Sequence, residues 1–155
     1  DTLKQQFPHK VVAVETSLDE SIPLNADREQ FRVVVSCLIK NSLEAIDQEG
    51  VIRVELGHTS ENSDQPSPSA ESHIRLSVSD NGVGLSETER EHLFDPFYSG
   101  RQAGRGLGFG LSKCWQILRL HGGTIEAVEN SAENKTGTLG LMVSTLWPNL
   151  ATLPQ

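Results

Sequence analysis

Apolar and polar residues alternate over residues 51–56 and 73–78, a period of two that predicts two strands, each with one buried face. A short β-branched run at 11–15, flanked by charged and turn residues, predicts another strand, and 21–25 reads as a turn. From Asp27 the spacing changes: Phe31, Val34, Val35, Leu38, Ile39, Ser42, Leu43 and Ile46 recur with helical period. Asp27 suits the N-cap and Gly50 the stop. A second long helix is expected at 107–120, with Leu111, Cys114, Trp115 and Leu118 on its apolar face and Gly122-Gly123 ending it. A short helical segment is expected at 87–93, and two closing strands at 125–128 and 138–146, the last stopped by Trp147-Pro148. Residues 58–72 are rich in Ser, Asn and Pro, too polar to pack, and read as a mobile loop in a hairpin connection. Hairpin-joined strands with helices gathered on one face predict an α+β fold, a two-layer α/β sandwich rather than a doubly wound sheet.

Composition narrows the function more than the fold. A chain of 155 residues, 36% hydrophobic and 22% charged, fits one globular domain over 1–155 with its core at 8–148. The net charge of -8 and the scatter of the thirteen basic residues argue against a nucleic-acid surface. Cys37 and Cys114 both fall in apolar helical stretches, as packed, reduced thiols do, which favours an intracellular compartment. The five histidines have no HExxH or CxxC partner at ligand spacing. No apolar run approaches about 18 residues and no signal sequence opens the chain, so a soluble fragment without direct membrane contact is expected. The start at Asp1 suggests excision from a longer protein whose upstream part could be membrane-anchored.

Three elements carry chemistry. In Ser79-Asp80-Asn81-Gly82-Val83-Gly84, an acidic residue ends a strand and two glycines follow at alternate positions. Such a carboxylate can accept a hydrogen bond from the exocyclic amine of adenine, while the glycines let backbone approach the base; alone, the pattern more often marks an ordinary turn. Gly104-Arg105-Gly106-Leu107-Gly108 runs directly into a helix, whose free N–H groups attract phosphate, and as an isolated segment it also fits a hinge. It is neither a Walker A loop nor a dinucleotide fingerprint. Asn41 places an amide inside an apolar helix, where it requires a partner; an amide oxygen suits Mg2+. Glu44, on the same flank, reads as either a solvated carboxylate or a supporting one.

In this order the three elements resemble the N, G1 and G2 boxes of the ATPase superfamily shared by gyrase, heat-shock protein 90, histidine kinases and mismatch-repair ATPases. Two further stretches resemble the histidine-kinase branch, Leu93-Phe94-Asp95-Pro96-Phe97-Tyr98-Ser99-Gly100-Arg101 with its F box, and Leu120-His121-Gly122-Gly123-Thr124-Ile125 with its helix-to-strand exit. The likeness runs from about Val11 to Pro148. It implies the Bergerat-type sandwich, a mixed sheet covered on one face by about three helices. It also implies that Asn41 ligates Mg2+, that Asp80 binds the adenine amine, and that Gly82 and Gly84 shape the base pocket. Thr138 would support Asp80 through water. Phe94 and Phe97 would anchor an ATP lid over 95–106; without the family they read as core aromatics. Gly104, Gly106, Leu107 and Gly108 would wrap the triphosphate, with Arg101 and Arg105 as phosphate contacts.

The expected activity is that of a cytoplasmic sensor histidine kinase catalytic domain. It would hold Mg-ATP and donate the γ-phosphoryl group to a histidine on an upstream dimerisation domain, which in turn serves a response-regulator receiver. No phosphoacceptor motif lies in this chain, and no residue is assigned as catalytic. The alternatives are a nucleotide-gated interaction module and an anti-sigma-type serine kinase. Cys37 stands one turn before Asn41, where hydrolytic relatives carry a glutamate that activates water, so vigorous hydrolysis is not expected. Glu44 stands where many kinases carry a basic residue, which shifts phosphate neutralisation to the cation, the lid arginines and the helix start.

Overall fold

The computed structural model describes residues 4–59, 73–95, 110–133 and 139–148. After a 3-10 turn at Lys4–Gln6 come β1 (Val11–Leu18), α1 (Arg28–Ala45), β2 (Glu49–His58), β3 (His73–Asp80), α2 (Glu87–Glu91), α3 (Gly110–Leu120), β4 (Thr124–Glu133) and β5 (Leu139–Pro148). The strands form one sheet in the order β1-β2-β3-β5-β4. β1 and β2 are parallel, joined across α1, and the other pairs are antiparallel, so the sheet is mixed as expected.

Period-two alternation sorts the strands into two faces. Register puts Val54 beside Val78, Leu76 beside Thr145, Ile74 beside Trp147 and Ala127 beside Val143, and this set meets the helices. On the opposite face Arg53, Glu55, Arg75 and Glu126 are exposed. Ile52, Ile74, Leu76 and Val78 close the core against Val34 and Leu38 of α1 and Cys114 and Leu118 of α3. Each fully buried aliphatic side chain contributes roughly 2 kcal/mol. Trp147 is the largest fully buried residue, with Phe31 and His121 edge-on at 5.3 Å. Its Nε1 donates to Thr145 Oγ1 (2.9 Å), which donates on to the Leu76 carbonyl (3.2 Å), so the buried polar atoms are satisfied in a chain.

The two long helices run antiparallel. Asp27 caps α1 by accepting the Gln30 N–H at 2.8 Å. The Asp27 N–H donates to His121 Nε2 (3.2 Å) just past the end of α3. Nδ1 of that ring faces the Ile117 carbonyl at 2.9 Å and must therefore carry the proton. At the other end of α1, the Lys10 ammonium donates to the carbonyls of Leu43 (2.8 Å) and Ile46 (2.6 Å), groups left open by the helix end.

Several boundaries differ from expectation. α1 stops at Ala45, because Ile46 turns extended while its N–H still closes on Ser42. Gly50 is not the stop but a β2 residue, and a Cβ there would stand 2.8 Å from both Asn81 Oδ1 and Ile46 Cγ2. β1 extends to Leu18, and β2 includes His58, which pairs with Ile74, so the expected loop begins later. β4 runs through a register shift between Asn130 and Glu133. β5 continues through Trp147 to Pro148, because the indole is core. No helix among the described residues is long and apolar enough to cross a membrane.

Candidate nucleotide-binding site

Asp80 is the last residue of β3 and is only 3% exposed. Its Oδ1 accepts the Gly82 N–H at 2.9 Å, which sets the carboxylate above the start of the following loop. Its backbone carbonyl accepts Asn130 Nδ2 (2.7 Å), reaching from β4 past the beginning of β5. That reach requires Gly140: a Cβ there would run into the Asp80 carbonyl oxygen. Asn81 ties the same loop to β2 by accepting the Val51 N–H at 2.8 Å.

The loop then packs on the end of α1. Val83 N–H donates to the Ala45 carbonyl (3.1 Å), and a Cβ on Gly82 would stand 2.6 Å from that same oxygen. Gly84 has φ 68°, the left-handed region where a side chain is strained, and a Cβ there would strike the Leu139 carbonyl. Ala45 lies one turn beyond Asn41 on the same flank of α1, so the Asp80 loop is brought to the helix face that carries the amide.

Asn41 faces α3. Its Oδ1 is 3.8 Å from where a Cβ of Gly110 would stand, and its buried Nδ2 has no partner among the described residues. An amide oxygen aimed at a helix start beside an unused buried donor is suited to a hard cation and an anion together. Glu44, one turn on, is within 4.0 Å of Lys40. One turn before Asn41, Cys37 lies thiol to thiol with Cys114 of α3. That hydrogen bond, with help from Lys113 and Lys40 and against burial, holds the Cys37 thiol down to about 7, while the same contact and burial push Cys114 up.

Below the Asp80 loop, Ser86 and Glu89 form a capping box at the start of α2. Arg90 of α2 ion-pairs with Glu129 of β4, next to Asn130. Phe94 is half-buried and packs against the core. Asn41, Asp80, Gly82 and Gly84 are thus gathered around the C-terminal half of α1. The expected positions Phe97, Arg101, Gly104, Arg105, Gly106, Leu107, Gly108 and Thr138 lie outside the described residues, as does the lid beyond Asp95. A cavity of about 280 Å³ lined by Phe7, Lys10, Val11, Val12 and Leu43 contains none of the candidate residues. Among the described residues no group of three or more His, Cys, Asp or Glu could hold a metal.

Two contributors escaped the sequence reading. Asn130 stands in a polar turn-like stretch and Gly140 comes two residues after Thr138. Only the neighbouring of β3, β5 and β4 brings both to Asp80.

A family model described as histidine kinase-, DNA gyrase B-, and HSP90-like ATPase matches residues 26–148. The signal transduction histidine-protein kinase AtoS of Escherichia coli K12 is 31% identical over 126 residues, which is 81% of this chain and 19% of that protein. The C4-dicarboxylate transport sensor protein DctB of Rhizobium meliloti is 32% identical over 142 residues, 90% of this chain and 21% of that one. The chain therefore spans about a fifth of the length of these two relatives. Among solved structures, the mycobacterial sensor histidine kinase MprB superposes with a TM-score of 0.73 at 18% identity, covering 95% of this chain and 88% of that one. The catalytic domain of histidine kinase ThkA gives 0.70 at 24% identity, covering 95% and 86%. These two likenesses are of fold. With four fifths of its length inside the family model and the same fold as these kinase domains, the chain belongs to the histidine kinase-, DNA gyrase B-, and HSP90-like ATPase family.

Proposed function

We propose that this chain binds Mg-ATP and donates the γ-phosphoryl group to a histidine on a separate dimerisation/phosphoacceptor domain, as the catalytic domain of a two-component sensor histidine kinase. The observation that carries this reading is the buried Asp80 carboxylate, fixed at the end of β3 by the Gly82 N–H and beside the helix that carries Asn41. A carboxylate so held accepts the adenine amine without reorganising, and discriminates against guanine, which presents a carbonyl there. Gly82 and Gly84 let the loop pack against the Ala45 and Leu139 carbonyls and so shape the backbone wall of the base pocket. Asn41 would hold Mg2+ through its amide oxygen, and the cation would supply neutralisation of phosphate charge.

The family resemblance supplies the remaining roles. Phe94 and Phe97 anchor the lid at 95–106, and Gly104, Gly106, Leu107 and Gly108 lay backbone N–H groups along the triphosphate. Arg101 and Arg105 meet its charge, and Thr138 supports Asp80. Residues 1–155 then form a single domain. Cys37 offers no carboxylate to activate water, and Glu44 sits against Lys40, which favours transfer to an external nucleophile over hydrolysis. The phosphoryl group then passes from that histidine to a receiver domain, and the parent protein presents this domain to the cytoplasm.

Radiolabelled ATP tests the assignment. The chain alone remains unlabelled, and adding the parent's phosphoacceptor domain yields acid-labile label on that domain. An acid-stable label on serine, or labelling of the chain by itself, would contradict it.

A further inference from the structure

The antiparallel packing of α1 on α3 has a register that places two thiols together. Asp27 at the start of α1 meets His121 at the end of α3, and Asn41 near the end of α1 meets Gly110 at the start of α3. Cys37 is one turn before Asn41 and Cys114 is one turn after Gly110, so the same register sets them at one level across the helix pair, with Cys37 packed against the core cluster that contains Cys114. Both are free thiols. Cys114 is fully buried, whereas Cys37 is only partly buried. A partly accessible thiol backed by a buried one is the arrangement in which an attacked sulfur finds a resolving sulfur without chain movement.

We propose that Cys37 and Cys114 form a redox modification site, in which a peroxide or a small-molecule disulfide converts the pair to a reversible intramolecular disulfide that staples α1 to α3 beside Asn41. In the peroxide route the Cys37 sulfur attacks the O–O bond, which breaks to give Cys37 sulfenic acid and one water. The Cys114 sulfur then displaces the hydroxyl, which leaves with the thiol proton as a second water. The two sulfurs lose two electrons and the peroxide gains them, and a dithiol reductant reverses the change. In the small-molecule route Cys37 displaces one thiol through a mixed disulfide and Cys114 releases the other.

The bridge has a consequence for the site. A covalent S–S bond of about 2.05 Å is much shorter than a thiol–thiol hydrogen bond, so oxidation draws the helices together one turn from the gap between Asn41 and Gly110. That gap is where the cation and phosphates enter if the proposed function holds, and this part of the inference rests on that reading. Narrowing it weakens Mg-ATP binding.

The test treats the whole chain with a small excess of hydrogen peroxide and then alkylates remaining thiols. Mass spectrometry is expected to find a Cys37–Cys114 peptide in the monomer, lost again with dithiothreitol. The bridge constrains a long loop in the unfolded chain, so Tm rises by about 5 to 10 °C. Mg-ATP affinity measured by calorimetry falls at least about fivefold. Cys37→Ser, at the partly buried position, loses all three responses, and Cys114→Ala provides a second check from the other helix. Sulfinic acid on Cys37 with Cys114 still alkylated after unfolding, or bridging only between molecules, would overturn the proposal. A bridge that forms with affinity unchanged overturns the regulatory half. A reduced protein that binds no Mg-ATP refutes the nucleotide reading instead, and the peptide still decides whether the bridge exists.

Discussion

On the β3 side of the site, Asp80 is held through its carboxylate by Gly82, through its carbonyl by Asn130 and from beneath by Gly140. On the α1 side, Asn41 keeps a buried Nδ2 without a partner among the described residues, facing a helix start with no side chain at Gly110. The difference follows from what each side would recognise. A base is read by one hydrogen bond whose direction decides which purine fits, so the reader is locked in advance. A cation and a triphosphate bring their own charge and water, so the groups that meet them stay unsaturated, at about 1 to 3 kcal/mol for a buried unpaired donor. Unsatisfied polar atoms of this kind concentrate where a ligand completes them.

The contrast can be broken from the locked side first. Gly140→Val forces the Asp80 carbonyl away from its seat; it is expected to cost about 3 kcal/mol in urea unfolding and to lower ATP affinity more than about a hundredfold. Asp80→Asn keeps the shape but removes the charge-assisted bond, and calorimetry should record a tenfold to hundredfold weaker ATP with unfolding nearly unchanged, following from roughly 1.5 to 3 kcal/mol. On the open side, Asn41→Ala should abolish the enhancement of ATP binding by Mg2+. It should change stability by less than about 1 kcal/mol, because the amide lost had an unsatisfied donor. Equal Mg2+ enhancement in both proteins would remove Asn41 as a ligand. The smallest effect is expected from Asn130→Ala, about 1 kcal/mol in stability and about fivefold in ATP affinity, since one neutral hydrogen bond to the Asp80 backbone is lost.

Legibility followed the range over which each signal acts. The Asp27 cap, the apolar stripe of α1 and the alternation in β2 and β3 are local, and they were read correctly from the chain. Asp80 stood out as a candidate because an acidic residue before paired glycines is itself a local pattern. Gly50 misled: glycine near the end of a helical pattern reads as a stop, yet its reason is the crowding by Asn81 and Ile46 from the loop after β3 and the helix end. Asn130 and Gly140 were illegible because Asp80 lies two strands from β4 and one from β5, neighbours far apart in the chain. The two cysteines could each be read as packed thiols, but their meeting depends on the antiparallel register of α1 and α3, which no local spacing encodes.

The contrast between a finished base side and an open phosphate side is tested most directly by a crystal structure with a non-hydrolysable ATP analogue and Mg2+. The account predicts the adenine amine on the Asp80 carboxylate with Asn130, Gly82 and Gly140 unmoved, and Asn41 reoriented onto the cation. Adenine bound away from Asp80, or a rearranged Asp80 loop around an unchanged Asn41, would contradict it.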